Sequence, residues 1–289
     1  MALVDRVVVA GVCLSLACAP PRRDALPPYS PKLSSPTTPL LALLPSGAEA
    51  VAELDVARVR ANPAVGPLFR KLIASDLVPP QWAVLLGEAD AFVAGAYQAG
   101  RPQAELLLIV RGGALDARRA AGSGASAIDD HTLLLGPQPL RRRAEHGWIA
   151  HHEGVLGDRA WLEVRDQAVP QGAQHAVLRV TARFSDAARV SLAGRLRLDQ
   201  VPATVSVWCD VADDLALVAR LGVDDGAAAA QTARALSFAH RAFAARFLPR
   251  VALRVQPRGR AVDVTWVVGP KHLAAWAQRV TSVTKESVP

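Results

Sequence analysis

The sequence has three cysteines among 289 residues, so it offers no disulfide framework. Cys13 and Cys18 lie at the start of the chain, and Cys209 stands alone in Val205-Ser206-Val207-Trp208-Cys209-Asp210-Val211, where a buried inert thiol is expected. Apolar runs are short. Val7 to Ala17 covers eleven residues and Leu106 to Val110 only five, too few for a helix to cross a bilayer. No H-E-x-x-H, P-loop, G-x-S-x-G elbow or Cys-His arrangement occurs, so no common hydrolase or nucleotide chemistry is signed. Lysine is scarce too: 29 Arg and 4 Lys give a net charge of +7. The arginines are scattered among apolar residues rather than gathered in a stripe, which argues against nucleic acid as a partner. Arg141-Arg142-Arg143 is the one tight run and a candidate anion-binding group.

What the chain does have begins at its start. Asp5 and Arg6 precede the apolar run, which ends in Leu14-Ser15-Leu16-Ala17-Cys18. That is the build of an export signal over residues 1–17. The ending resembles the lipobox of bacterial lipoproteins, in which cleavage leaves an acylated cysteine, here Cys18. Ser15-Leu16-Ala17 also fits the small-x-small site of ordinary signal peptidase. Residues 18–45 favour lipidation, because they are rich in proline, serine and threonine and read as an extended tether.

About 270 residues follow the leader, half of the composition is hydrophobic, and a globular body is expected. It reads as α+β, a mostly antiparallel sheet with helices on one side, in two similar halves, residues 46–168 and 175–283. Each half runs β-α-β-β-α-β-β-α. In the first, strands are expected at 50–56, 89–97, 104–111, 125–129, 131–135 and 148–154. Val65, Leu68, Phe69 and Leu72, behind Asn62-Pro63, mark one face of a helix, and further helices fall at 82–86, 115–121 and 158–165. In the second, Leu178, Val180, Ala182 and Phe184 alternate with Arg179, Thr181 and Arg183, the pattern of a strand with one wet face. Strands at 204–211 and 215–222, a long helix headed by Asp224-Asp225-Gly226, a hairpin about Pro257-Arg258-Gly259 and a helix opening at Pro270 complete it.

Reactive groups cluster in one place. Asp130 and His131 precede His151 and Glu153 by about twenty residues, and on a strand His151 and Glu153 would share a face. These four are the candidate metal ligands, although their spacing matches no standard zinc pattern, and no catalytic set is assigned. Gly122-Ser123-Gly124-Ala125-Ser126-Ala127 echoes a dinucleotide loop but joins a helix to a strand, the wrong order for that motif. Asp213-Asp214 and Asp224-Asp225 read as turns and caps. Among the tryptophans, Trp208 is the best candidate for an exposed aromatic.

The Cys18 leader, the proline tether, Leu44-Pro45-Ser46-Gly47-Ala48, Glu53-Leu54-Asp55 and Asn62-Pro63 together resemble uncharacterised lipoproteins of high-GC Gram-negative bacteria. The resemblance implies a compartment more than an activity: a body facing the periplasm or cell surface, with Ala19 favouring the outer membrane. The expected partners are the bilayer, through acylated Cys18, and an envelope protein; no cofactor is expected. A non-catalytic binding or scaffold module is the leading reading, with an exported metal-dependent hydrolase as the alternative.

Overall fold

A computed structural model describes residues 36–273 and 275, apart from 75–79, 122–123, 151, 172, 174–175, 197–198, 212–213 and 248–252. The expected signal peptide and Cys18 lie outside the described residues. The chain is α+β, built on one ten-stranded sheet in which every paired neighbour is antiparallel.

The strands are β1 (Ala50–Asp55), β2 (Ala91–Tyr97), β3 (Glu105–Arg111), β4 (Ala125–Asp129), β5 (Thr132–Leu135), β6 (Leu178–Arg183), β7 (Thr204–Val211), β8 (Leu215–Gly222), β9 (Arg254–Arg258) and β10 (Ala261–Val268). Their order across the sheet is β4-β5-β3-β2-β1-β6-β7-β8-β10-β9. β1 and β6 meet in the middle, with Ala50 opposite Ala182 and Leu54 opposite Leu178. Residues 46–168 and 175–283 therefore share one sheet rather than forming separate bodies.

Helices lie on both faces, not on one as the sequence pattern implies. The register explains why: side chains alternate across a strand, and here both alternating sets are apolar over β2 and β3. One face carries Val51, Val93, Leu107, Ile109 and Leu134. It is covered by α1 (Thr38–Leu43), α6 (Gln138–Ile149) and α7 (Arg159–Asp166), which bury Leu40, Leu140 and Trp161 against it. The opposite face carries Phe92, Ala94, Leu108, Val110 and Leu133 beneath α2 (Val56–Ala61), α3 (Val65–Ile73), α4 (Pro80–Glu88) and α5 (Ala117–Ala120). α8 (Asp186–Leu196) follows β6. α9 (Gly226–Phe247) buries Ala229 and Ala233 over Val207, Leu217, Val264 and Trp266.

Four local expectations change. Residues 148–154 do not form a strand. Leu140 and Ala144 recur four apart and both are buried, so α6 continues through Ile149. Thr181, expected on a wet face, is buried, and Arg179 is nearly so, because α7 packs over β6 and β7. Trp208 is buried as well, under Ala168, Val169 and Ala173 in the segment after α7. Finally, the folded body reaches further toward the N-terminus than residue 46. Thr37, Leu40, Leu41, Leu43 and Leu44 are all buried, so the last part of the expected 18–45 tether is core.

A candidate functional site beside the chain entrance

The first face of the sheet holds a cavity of about 690 Å³ where α1, α6 and a short 3-10 turn (Gly154–Gly157) meet. Each wall follows from local sequence. Pro39 sits in the first turn of α1, where its missing N–H costs nothing, and Leu44 leaves the helix in extended geometry, taking Pro45 and Ser46 along the rim. α6 likewise starts on a proline, Pro139. Its buried pair Leu140 and Ala144 faces the sheet, which turns Arg142, Arg143 and His146 outward to the cavity. Gly154 closes the floor. Its φ is +55°, and a Cβ there would come within 2.5 Å of the Ala42 and Leu44 carbonyl oxygens. Only glycine fits both conditions. The neighbouring Val155 N–H donates to the Leu44 carbonyl at 3.0 Å, joining turn to helix.

The polar lining is mostly basic residues. Arg142, Arg143, His146 and His152 share it with one carboxylate, Glu153, and with Ser46. Arg143 Nη2 donates to the Ser46 carbonyl at 3.1 Å, whereas Arg142 has no carboxylate partner among the described residues. Behind the rim the Tyr97 hydroxyl donates to the Pro45 carbonyl at 2.7 Å. Burial raises the Tyr97 pKa above the ordinary phenol value, with Arg143 acting weakly the other way. Such a site can hold an acidic group by charge-assisted hydrogen bonds.

Two of the three expected arginines therefore line the cavity. Arg141 does not: its Nε donates to the Gly136 carbonyl at 3.0 Å, tying down the start of α6. Of the expected metal ligands, Glu153 lines the cavity and His151 lies outside the described residues. Asp130 and His131 are elsewhere, in the turn between β4 and β5. There Asp130 pairs with Arg118, and the His131 carbonyl accepts from Gly112. Among the described residues no three His, Cys, Asp or Glu side chains gather closely enough to hold an ion. Cys209 is buried, and its pKa is pushed up to about 12 by burial and by Asp210, so it is no nucleophile at neutral pH. Asp225 caps α9 by accepting from the Ala228 N–H, and Asp224 pairs with Arg189.

Sequence reading missed a second polar centre. Glu53 on β1 is 3% exposed and accepts from Arg165 Nε at 2.7 Å, Arg165 Nη2 at 2.9 Å and the Thr37 hydroxyl at 2.8 Å. Burial pushes its pKa up, but Arg165, Thr37 and Arg179 together outweigh that and hold it below the usual carboxylate value. This network joins the chain entrance, the central strand and α7. No spacing rule marks it, since its members are 16 and 112 residues from Glu53.

Comparison with protein-family models, curated proteins and solved structures finds no match to this chain. The geometry alone must carry the functional reading.

Proposed function

We propose that the protein is a non-catalytic, lipid-anchored component of the cell envelope, a binding or scaffold module whose cationic cavity seats an acidic group of the component it engages. The cavity carries this reading: two guanidinium and two imidazole side chains line it, with a single carboxylate among them. The other groups with chemical potential are engaged structurally, Glu53 by Arg165, Asp130 by Arg118 and Asp210 by Arg58. That favours binding over the metal-dependent hydrolase, whose ligands would have to include Asp130 and His131 from a distant turn. The leader, Cys18 and the proline-rich stretch support this compartment, with Ala19 favouring the outer membrane.

Two measurements test the reading. Mass spectrometry of the membrane fraction should find the N-terminus at acylated Cys18; an unmodified N-terminus there or later overturns the anchor. Cross-linking in native membranes should capture a reproducible envelope partner, and its failure overturns the scaffold role. We further infer that the body arose from two similar halves. Outward from the centre the strands run β1-β2-β3-β5-β4 on one side and β6-β7-β8-β10-β9 on the other, which is the same connectivity.

A further inference from the structure

The geometry points to a bilayer-docking face built around the cavity: the outward stripe of α6 rests on an anionic phospholipid surface, and the headgroups supply the acidic groups the cavity takes. The inference deepens the binding role proposed above, naming its partner, and uses the proposed tether only for geometry.

Three observations converge on one helix. Arg142, His146 and Ile149 recur at i, i+4 and i+7, directly opposite the buried pair Leu140 and Ala144, so they form one outward stripe. Ile149 is 76% exposed and Trp148 beside it 49%, two of the few large apolar side chains left in solvent among the described residues. An exposed Trp and Ile at the end of this helix suit a body lying on a membrane, because Trp favours the headgroup level and an aliphatic side chain the layer below. Two guanidinium groups belong to the same helix: Arg142 and Arg143 line the cavity together with His146 and His152. Electrostatic attraction and apolar insertion then act at the same spot.

The body begins at α1, a helix about 9 Å long whose far end is the cavity rim. From Cys18 to Thr37 the chain can reach about 60 Å if fully extended, so it neither forces nor forbids contact.

The test uses the chain from residue 18 with Cys18→Ala, which keeps every described residue and removes the acyl group. Sedimentation is measured with phosphatidylcholine vesicles, with and without phosphatidylglycerol. Binding is expected only with phosphatidylglycerol, falling steeply as salt is added. Arg142→Glu should weaken it about thirtyfold and Ile149→Ser about fivefold. Arg234→Glu, the same charge change on α9 across the sheet, should stay within about twofold of the parent. These side chains are exposed, so folding is not at risk; circular dichroism confirms it. Absence of binding to anionic vesicles, equal binding to neutral ones, or an Arg142→Glu variant that binds like the parent overturns the proposal. So does inorganic phosphate held in the cavity, seen by calorimetry, without vesicle binding. None of these results bears on acylation of Cys18 or on capture of an envelope protein.

Discussion

β3 and β10 are both well-paired strands, yet they live in different surroundings. β3 reads Glu-Leu-Leu-Leu-Ile-Val-Arg and buries four consecutive residues, Leu107 to Val110, because helices cover both faces of the sheet there. β10 buries only alternate residues, Val262, Val264, Trp266 and Val268, beneath α9. Its other side chains, Asp263, Thr265 and Val267, stay half-exposed beside Arg220, Arg254 and Gln256. The same architecture thus has a double-sided region near the chain entrance and a single-sided one toward the far edge. The cavity and the double-sided part of the core thus sit in the same half: the cavity is cut into a helical layer that, among the described residues, does not extend over β10.

The largest effect is expected at the seam between the regions. Arg165→Ala strands the Glu53 carboxylate in the interior and should cost about 3–5 kcal/mol in urea unfolding. A loss below about 1 kcal/mol would show that the network is dispensable. Next comes the contrast itself. Ile109→Ala in the double-sided region should cost about 3 kcal/mol, whereas Val267→Ala on the open side of β10 should cost about 0.5 kcal/mol or less. Equal costs would erase the distinction drawn here. Gly154→Ala is expected to fall between them, about 2 kcal/mol, since it combines a left-handed φ with a clash against two carbonyls. It should also weaken any ligand of the cavity, because that clash moves α1.

The smallest expected effect is a pH dependence that separates the regions. His240 on α9 meets Trp266 edge-on at 6.1 Å, and burial lowers its pKa below the usual imidazole value. The folded protein therefore binds this proton less readily than the unfolded chain does. Stability should decline as pH falls below about 6.5, and His240→Gln should flatten that slope. Glu53 acts lower on the scale. Its depressed pKa contributes stability that is present above the ordinary carboxylate range and lost as pH falls through the folded value. Thermal melts between neutral and acidic pH resolve the two. A His240→Gln variant with an unchanged slope near pH 6 overturns the first assignment.

Much of this architecture could be read from residue order. The alternation of β10, the length of α9, the Asp225 cap and the bounds of β7 and β8 follow from local periodicity and capping, which are properties of a few neighbouring residues. What could not be read depends on packing between distant segments. Arg179, Thr181 and Arg183 alternate like a solvent-facing row, and nothing nearby announces that α7 will lie across them. Trp208 was lost to view for the same reason. At the cavity, Arg142, Arg143 and Glu153 were legible as candidates. His146 and His152 join them only because Gly147 does not stop α6 and the following turn folds back, with the His152 N–H donating to the Gly147 carbonyl at 2.9 Å.

Thr37, the first buried side chain after the described chain begins, is clasped to Glu53 on a strand flanked by β2 and β6. Tension arriving from upstream is therefore delivered to the middle of the sheet rather than to an outer strand. Outer strands unzip one hydrogen bond at a time, while a central one must shear against two neighbours at once. Through Glu53, the side chain of Thr37 is tied to a strand held on both sides.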